Sequence, residues 1–155
     1  MQAPVIAIVD DDASIRRALQ RLVESAGYTV QTFASAGEFL AWLPQGQPAC
    51  LVLDVHMDGM SGLDLQRRLA VPVIFITAHD DALTLERIKR SRAAGHLRKP
   101  IDEQTVLDAI RGAVAGLALI LLLALVSAPG AWAGQPTEQL REGSSGCSRS
   151  SGTRT

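Results

Sequence analysis

The chain has 155 residues, of which 47% are hydrophobic and 20% are charged, and its formal net charge is −1. This composition can supply the core of one domain and excludes a wholly disordered chain, while the balanced charge gives no basic field for nucleic acid. The two cysteines, Cys50 and Cys147, lie far apart and outside any CxxC motif, which argues against a zinc site or a disulfide framework.

The charges are unevenly placed along the chain. Residues 1–112 hold 12 of the 15 Lys and Arg and 14 of the 16 Asp and Glu, whereas residues 113–133 hold none. We therefore predict three parts, which are a globular domain at 1–116, an apolar segment at 117–133 and a disordered, low-complexity tail at 134–155.

Short apolar runs alternate with amphipathic stretches through the globular part. The runs predict strands at residues 5–9, 28–33, 50–54, 71–77 and 95–99. Apolar residues at a spacing near 3.6 predict helices at residues 13–26, after Ser35, at 63–70, at 83–93 and after Asp102. Five βα units with continuous apolar strands indicate an α/β fold, a doubly wound parallel sheet with strand order 2-1-3-4-5.

Polar residues mark the ends of these helices. Asp12 and Asp102 are expected N-caps, and Asp80 or Asp81 is expected to cap the fourth helix. Ser35 and Glu38, three residues apart, predict a capping box at the start of the second helix.

Acidic residues follow two strands that this order makes neighbours. Asp10 and Asp11 follow the first strand and Asp54 ends the third, so three carboxylates should converge at one edge of the sheet. Three anions need a counter-cation, and hard oxygen ligands suit Mg²⁺. Thr77 and Lys99 end the fourth and fifth strands and add a hydroxyl and an ammonium. This set suits phosphoryl transfer, with Asp54 as nucleophile.

Four motifs then give the chain a family resemblance. They are Val9-Asp10-Asp11, Leu53-Asp54, the segment Pro72–Ala78 (PVIFITA) and Lys99-Pro100. Through them residues 4–112 resemble the receiver domain of two-component response regulators. The resemblance implies a flavodoxin-like fold and a phosphorelay function. It also implies a sensor histidine kinase or phosphotransfer protein as phosphodonor, and a signalling role that is distinct from that of a metabolic enzyme.

The resemblance implies roles for the residues around the phosphoryl group. Asp54 resembles the phosphoacceptor, and Lys99 is expected to pair with the phosphoryl oxygens and to precede Pro100 in a cis peptide. Thr77 is expected to move toward the phosphoryl group, and His96 occupies the position of the aromatic residue that turns inward with it. The domain would also promote its own phosphorylation and dephosphorylation.

The resemblance also implies a Mg²⁺ site. Asp11 and Asp54 would be direct ligands, His56 would add its backbone carbonyl, and Asp10 would act mainly through water. These residues all follow the carboxyl ends of the first and third predicted strands.

Three departures from the family pattern bear on the switch. Only Val71 and Pro72 separate the predicted third helix from the fourth strand, which could shorten that helix. Arg92 stands where relatives commonly have glycine, so a left-handed helix end there would be strained. His96 replaces the usual Tyr or Phe and could carry charge near neutral pH.

A different class of protein shares part of this pattern. The run from Asp10 to Ser14 loosely fits the Asp-x-Asp-x-Thr/Ser start of haloacid-dehalogenase-like phosphatases, in which Asp10 would be the nucleophile. That hypothesis leaves Asp54 without a role and needs a later acidic strand end, which the sequence lacks. A truncated or fused, non-signalling remnant is a further alternative.

The uncharged segment at 113–133 is open to three interpretations. It could be a membrane anchor flanked by Arg111, or a prolonged last helix that buries Leu and Ile in a dimer. The run ending in Ala131-Trp132-Ala133 also looks like a signal-peptide core with its cleavage site, which would suggest that a second reading frame joins a truncated regulator. We expect a cytoplasmic domain, with tethering to the inner face of the membrane under the first interpretation.

The output of the domain is not encoded in a recognisable segment. The 22 residues after Ala133 are too few for a helix-turn-helix domain, so no direct contact with nucleic acid is expected. The expected output is contact with an unknown protein partner.

Overall fold

The computed structural model describes residues 2–78 and 81–127, in which strands and helices alternate. The strands are β1 (Val5–Val9), β2 (Thr29–Phe33), β3 (Cys50–Asp54), β4 (Val73–Thr77) and β5 (Gly95–Arg98). The helices are α1 (Ala13–Ser25), α2 (Ala36–Trp42), α3 (Gly62–Gln66), α4 (Ala82–Arg90) and α5 (Glu103–Ser127). The succession of five βα units is confirmed. The predictions about Asp80, Cys147 and the tail at 134–155 lie outside the described residues.

The strands form one parallel sheet in the order β2-β1-β3-β4-β5, which confirms the predicted doubly wound topology. In the register of β1 and β3, Val9 lies opposite Leu53, so the residues that follow these strands emerge side by side. Strand β3 is buried along its whole length because it lies in the middle of the sheet, as its continuous apolar sequence predicts.

Alternate strand residues face two separate apolar layers, one on each side of the sheet. One layer contains Ala7 and Val9 and includes Phe39 of α2. The other contains Ile6 and Ile8 and is closed by the buried residues of α5, which are Val106, Ile110 and Ala113. Because both faces of the central strands are buried, the polar residues of β3 and β4 lie at the strand ends.

The predicted caps form, with one difference in the capping box. Asp12 accepts hydrogen bonds from the backbone N–H groups of Ser14 and Ile15, and Asp81 and Asp102 accept equivalent bonds at α4 and α5. Ser35 accepts from the Glu38 N–H at 3.1 Å, as predicted. The Glu38 carboxylate instead accepts from the N–H of Ala34, one residue before the cap. The reciprocal bond of a capping box is therefore shifted by one residue.

Helix α3 has only five residues and ends at Gln66, so the prediction that it extends to residue 70 is wrong. The connection explains the difference. The carbonyl of Pro72 already accepts the N–H of Leu51 in the sheet, and the residue before a proline disfavours helical backbone. The chain must therefore leave the helix early, as the short connection suggests.

Helix α4 ends at Arg90, three residues before the predicted end. Ser91 has extended backbone (φ −77°, ψ 164°) and its hydroxyl donates to the carbonyl of Ile88. The N–H of Ala94 must reach the carbonyl of Val73 at the start of β4, which draws the chain out of the helix. The helix thus ends before Arg92, so this residue does not form the end of α4.

Helix α5 continues without a break from Glu103 to Ser127. It runs through the predicted boundary between residues 116 and 117, which stays a prediction. Its first part packs on the sheet, whereas large apolar side chains from Leu119 onward are exposed.

Candidate functional site

The parallel sheet brings four polar residues from distant parts of the sequence to one edge. Asp10 follows β1, Asp54 ends β3, Thr77 ends β4 and Lys99 follows β5. The carboxyl ends of parallel strands share an edge of the sheet, so these four residues lie at the edge where ligands bind in such folds.

Three carboxylates converge at this edge, as predicted. One carboxylate oxygen each from Asp10, Asp11 and Asp54 lies within 4.8 Å of the others. Asp10 and Asp54 are buried, with 1% and 6% of their surface exposed, whereas Asp11 is exposed. The cluster therefore has a closed inner side and an outer side open to solvent.

Backbone groups orient the two buried carboxylates. The Asp10 Oδ1 atom accepts a hydrogen bond from the N–H of Asp12 at 2.8 Å, and the Asp54 Oδ1 atom accepts from the N–H of His56 at 3.0 Å. One oxygen of each carboxylate is held in this way, and the other is turned toward the centre of the site.

Lys99 supplies the positive charge at that centre. Its Nζ lies 3.1 Å from Asp54 Oδ2 and 3.4 Å from Asp10 Oδ2, and its side chain is largely buried. Burial opposes the lysine charge most strongly, but the two carboxylates together outweigh it and raise the pKa of Lys99. For Asp10 burial is the largest influence, and it raises the pKa of the carboxyl despite the hydrogen bond from Asp12. The pocket thus holds more negative charge than one ammonium balances.

The backbone of β5 positions the lysine. The N–H of Lys99 donates to the carbonyl of Thr77 at 2.9 Å, which ties the residue after β5 to the end of β4. The Lys99-Pro100 peptide is cis, as the resemblance implies. Thr77 is buried at the same edge of the sheet.

Two predicted residues lie apart from the buried centre. The side chain of His56 is exposed, and its backbone N–H donates to Asp54. His96 is exposed on the edge strand β5, opposite Phe75 of β4 in the register. The structure therefore brings Asp10, Asp11, Asp54 and Lys99 together around one point and leaves both imidazoles outside it.

Two further residues shape the site and were not singled out from the sequence. Arg16 donates from Nη1 to the carbonyl of Asp10 at 2.7 Å and holds the turn after β1. Gly62 lies directly against the backbone of Asp54, where a side chain would overlap its carbonyl oxygen. The turn-rich run from residue 57 to 62 could have indicated such a close approach, whereas nothing distinguishes Arg16 from the solvated arginines of α1.

The donor set of the pocket fits a hard divalent cation. Carboxylate oxygens from three residues lie within reach of one ion, and the exposed side of Asp11 leaves room for water ligands. Magnesium prefers oxygen ligands and retains several waters in such sites. The side chains present are therefore those that a Mg²⁺ ion would require.

Most of the sequence that forms this site and its sheet matches known proteins. Residues 6–111 match the family model of the response regulator receiver domain. The chain is 43% identical over 118 residues to the response regulator protein TmoT of Ectopseudomonas mendocina, covering 73% of this chain and 54% of that protein. It is 41% identical over 111 residues to nodulation protein W of Bradyrhizobium diazoefficiens, covering 68% of this chain and 49% of that protein. The chain thus spans about half the length of these curated relatives.

Solved structures show the same fold. A response regulator receiver protein from Burkholderia phymatum is 43% identical, with a TM-score of 0.67, and the match covers 72% of this chain and 95% of that one. The response regulator StyR is 40% identical, with a TM-score of 0.71, over 80% of this chain and 65% of that one. These matches give no support to the phosphatase alternative. The chain belongs to the response regulator receiver family.

Proposed function

We propose that Asp54 of this receiver accepts a phosphoryl group from a partner histidine kinase or phosphotransfer protein. The observation that carries the proposal is the contact between Lys99 Nζ and Asp54 Oδ2 at 3.1 Å, at the end of the central strand β3. A buried carboxylate beside a cation is positioned both to attack phosphorus and to share the charge of the product.

The transfer would proceed by in-line displacement. A carboxylate oxygen of Asp54 forms a bond to phosphorus while the P–N bond of the donor phosphohistidine breaks, and the donor imidazole leaves with the electron pair. Asp54 is then an acyl phosphate. The ammonium of Lys99 is already within hydrogen-bond distance of this carboxylate, so it can follow the negative charge onto the phosphoryl oxygens.

Receiver domains typically bind Mg²⁺ at an acidic pocket of this kind. In this chain we assign Asp11 and Asp54 as direct ligands, with the backbone carbonyl of His56, and Asp10 as a ligand through water. Bound there, Mg²⁺ would neutralise negative charge that Lys99 alone leaves uncompensated. The convergence of the three carboxylates supports this assignment.

The same pocket would support slow chemistry without a partner. A small acyl phosphate could replace phosphohistidine as donor, and water attacking phosphorus later would release phosphate and restore the Asp54 carboxylate. These reactions serve to set and reset a signal, so we class the chain as a phosphoacceptor with intrinsic self-phosphorylation and self-dephosphorylation.

We propose Thr77 and His96 as the switch. Thr77 lies buried at the site, and His96 lies exposed on β5, three residues before Lys99. A shift of Thr77 toward the phosphoryl group would open space that the His96 ring could fill from the edge of the sheet. Phosphorylation would thus bias the chain between two packings.

An apolar groove beside Lys99 offers a place for the protein donor. Its volume is about 260 Å³, and it lies between α1 and the start of α5, lined by residues that include Ile15, Leu22, Pro100 and Ile101. A donor that rests there has its phosphohistidine next to the mouth of the acidic pocket. For output we propose contact with a partner protein of unknown identity.

The test is phosphorylation by radiolabelled acetyl phosphate with and without Mg²⁺. We expect wild-type chain to take up label only with Mg²⁺, and this label should be released by alkali or hydroxylamine, as an acyl phosphate is. Asp54→Asn should take up none. Asp58→Asn, which changes an exposed carboxylate four residues away, is the matched control and should label normally. Label that survives in Asp54→Asn and disappears in Asp10→Asn would favour the phosphatase alternative. A folded wild-type chain that takes up no label would be a non-signalling remnant.

A further inference from the structure

The far end of α5 presents a continuous apolar surface to solvent. Seven large apolar side chains there are 57% to 70% exposed, and they are Leu119, Ile120, Leu121, Leu122, Leu123, Leu125 and Val126. Large contiguous apolar surfaces are rare on soluble monomers and mark sites that contact a partner or a membrane. The exposed end of α5 therefore indicates a site that is covered by a partner or a membrane.

The length of α5 explains why this end is uncovered. A helix rises 1.5 Å per residue, so the stretch from Glu103 to Ala113 is about 15 Å long. A five-residue strand is of similar length, about 16 Å. Ala113 is the last buried residue of the helix, so the sheet has ended where the exposed part begins. Because α5 starts beside Lys99 and runs antiparallel to the strands, its far end emerges opposite the acidic pocket.

The distribution of the exposed side chains identifies the kind of occupant. Successive residues of a helix are 100° apart, so the five consecutive residues 119–123 alone point to all sides of it. A second copy of the helix would cover one stripe and leave the others in water. A helix that is apolar all round is suited to complete enclosure, which a lipid bilayer provides.

The absence of charge and the apolar composition agree with insertion into a bilayer. No residue between 112 and 127 is charged, and Arg111 immediately precedes this stretch. Among residues 2–78 and 81–127, α5 is the one helix long and apolar enough to cross a membrane by length and composition, with a mean hydropathy of 2.4 over an 18-residue window. The part from Leu117 to Ser127 is about 15 Å long, half of the hydrocarbon core of about 30 Å.

We propose that the end of α5 from Leu117 to Ser127 inserts into a lipid bilayer and holds the receiver at the cytoplasmic face of the membrane. Arg111 then lies at the level of the headgroups, where positive side chains are favoured. The acidic pocket, at the opposite edge of the sheet, faces away from the lipid and stays accessible to a phosphodonor.

The test is flotation of the full chain with vesicles of phosphatidylethanolamine and phosphatidylglycerol after exchange from detergent. We expect the wild type to float with the vesicles and to stay bound in high salt. The double variant Leu121→Lys, Leu125→Lys places two charges in the hydrocarbon and should lower the bound fraction by at least about tenfold. Circular dichroism and thermal unfolding check that this variant keeps its fold.

The matched control is Leu83→Lys. Leu83 is 71% exposed, as exposed as the residues on α5, but it lies on α4 in the body of the domain. This variant should float like the wild type. Three results would overturn the proposal: equal flotation of the double variant, release of the wild type by high salt alone, or a lipid-free wild type that forms a soluble oligomer and does not float.

Discussion

The Nζ atom of Lys99 lies 3.1 Å from Oδ2 of Asp54, although the two residues are 45 positions apart in the chain. The same ammonium also contacts Asp10 at 3.4 Å. One largely buried cation therefore serves two buried carboxylates, and the excess negative charge couples the stability of the domain to the binding of a cation in the pocket.

Removal of the lysine should destabilise the domain through this pocket. In Lys99→Met, two buried carboxylates lose their counter-charge, and we expect the free energy of unfolding to fall by about 3 kcal/mol. Chemical denaturation in metal-free buffer measures the change. Lys89→Met on the exposed face of α4 is the matched control and should change stability little. The loss at Lys99 should be smaller when Asp10 is already Asn, and equal losses in both backgrounds would contradict the coupling.

Asp10 should make the metal-free domain less stable as the pH rises. Burial raises its pKa above the ordinary value of 3.8, so the folded chain binds this proton more tightly than the unfolded chain does. Stability is therefore lost as the pH rises from about 4 through the raised pKa. Asp10→Asn lacks this loss, and we expect its stability advantage over the wild type to grow across that window. Denaturation with chelator at several pH values measures it.

Asp12, two residues after Asp10, provides a control in which stability should depend on pH in the opposite direction. The N–H groups of Ile15 and Ser14 lower the pKa of its carboxyl, so its charge stabilises the fold above the ordinary pKa and ceases to do so as the pH falls. Asp12→Asn should therefore lose stability near neutral pH and match the wild type in acid. If the stabilities of Asp10→Asn and Asp12→Asn relative to the wild type changed in the same direction with pH, the assigned pKa directions of the two carboxyls would be wrong.

Replacement by alanine should have opposite effects on stability at two glycines. At Gly62 a methyl group would overlap the carbonyl oxygen of Asp54 and lie 3.1 Å from Cα of Val55, so Gly62→Ala should cost about 1–3 kcal/mol and reduce labelling by acetyl phosphate. At Gly112 nothing lies within 4 Å, and α5 should gain up to about 1 kcal/mol from Gly112→Ala. Thermal unfolding compares the two, and a Gly62→Ala protein with full stability would refute the close approach.

Cys50 should react only when the domain unfolds. It is fully buried in β3, and burial raises the pKa of its thiol to about 12 from an ordinary 9.0. The thiolate fraction at pH 8 is then lower by about a thousandfold, because each pKa unit is a factor of ten. In the full chain with Cys147→Ser, a thiol reagent should leave Cys50 unmodified in buffer and modify it fully in denaturant. Rapid modification in buffer would show that β3 opens.

The sheet and its acidic edge were predictable because they depend on patterns of neighbouring residues. Continuous apolar runs identify buried parallel strands, and acids directly after two of them identify the edge where ligands bind. The positions of Asp10, Asp54 and Lys99 at one edge follow from these rules together with the alternation of predicted strands and helices, which indicates a parallel sheet.

The remaining details depend on contacts between distant parts of the chain. The early end of α3 follows from the bond that the Pro72 carbonyl makes to Leu51 in another strand. The importance of Gly62 follows from its contact with Asp54, and that of Arg16 from the carbonyl it reaches. Local propensity carries no information about such partners. The sequence pattern indicates a tight turn near Gly62 and a short connection after α3, but it does not identify the groups that they contact.

Helix α5 is unbroken from the core to its exposed end, and this removes the freedom that a flexible linker would allow. Val106 and Ile110 pack the helix against the sheet, so the fold fixes the direction of its far end relative to the acidic pocket. Whatever binds the far end of α5 therefore also determines the direction in which the acidic pocket faces. A force applied to that end would act first on the packing of Val106 and Ile110, because these residues connect the helix to the core.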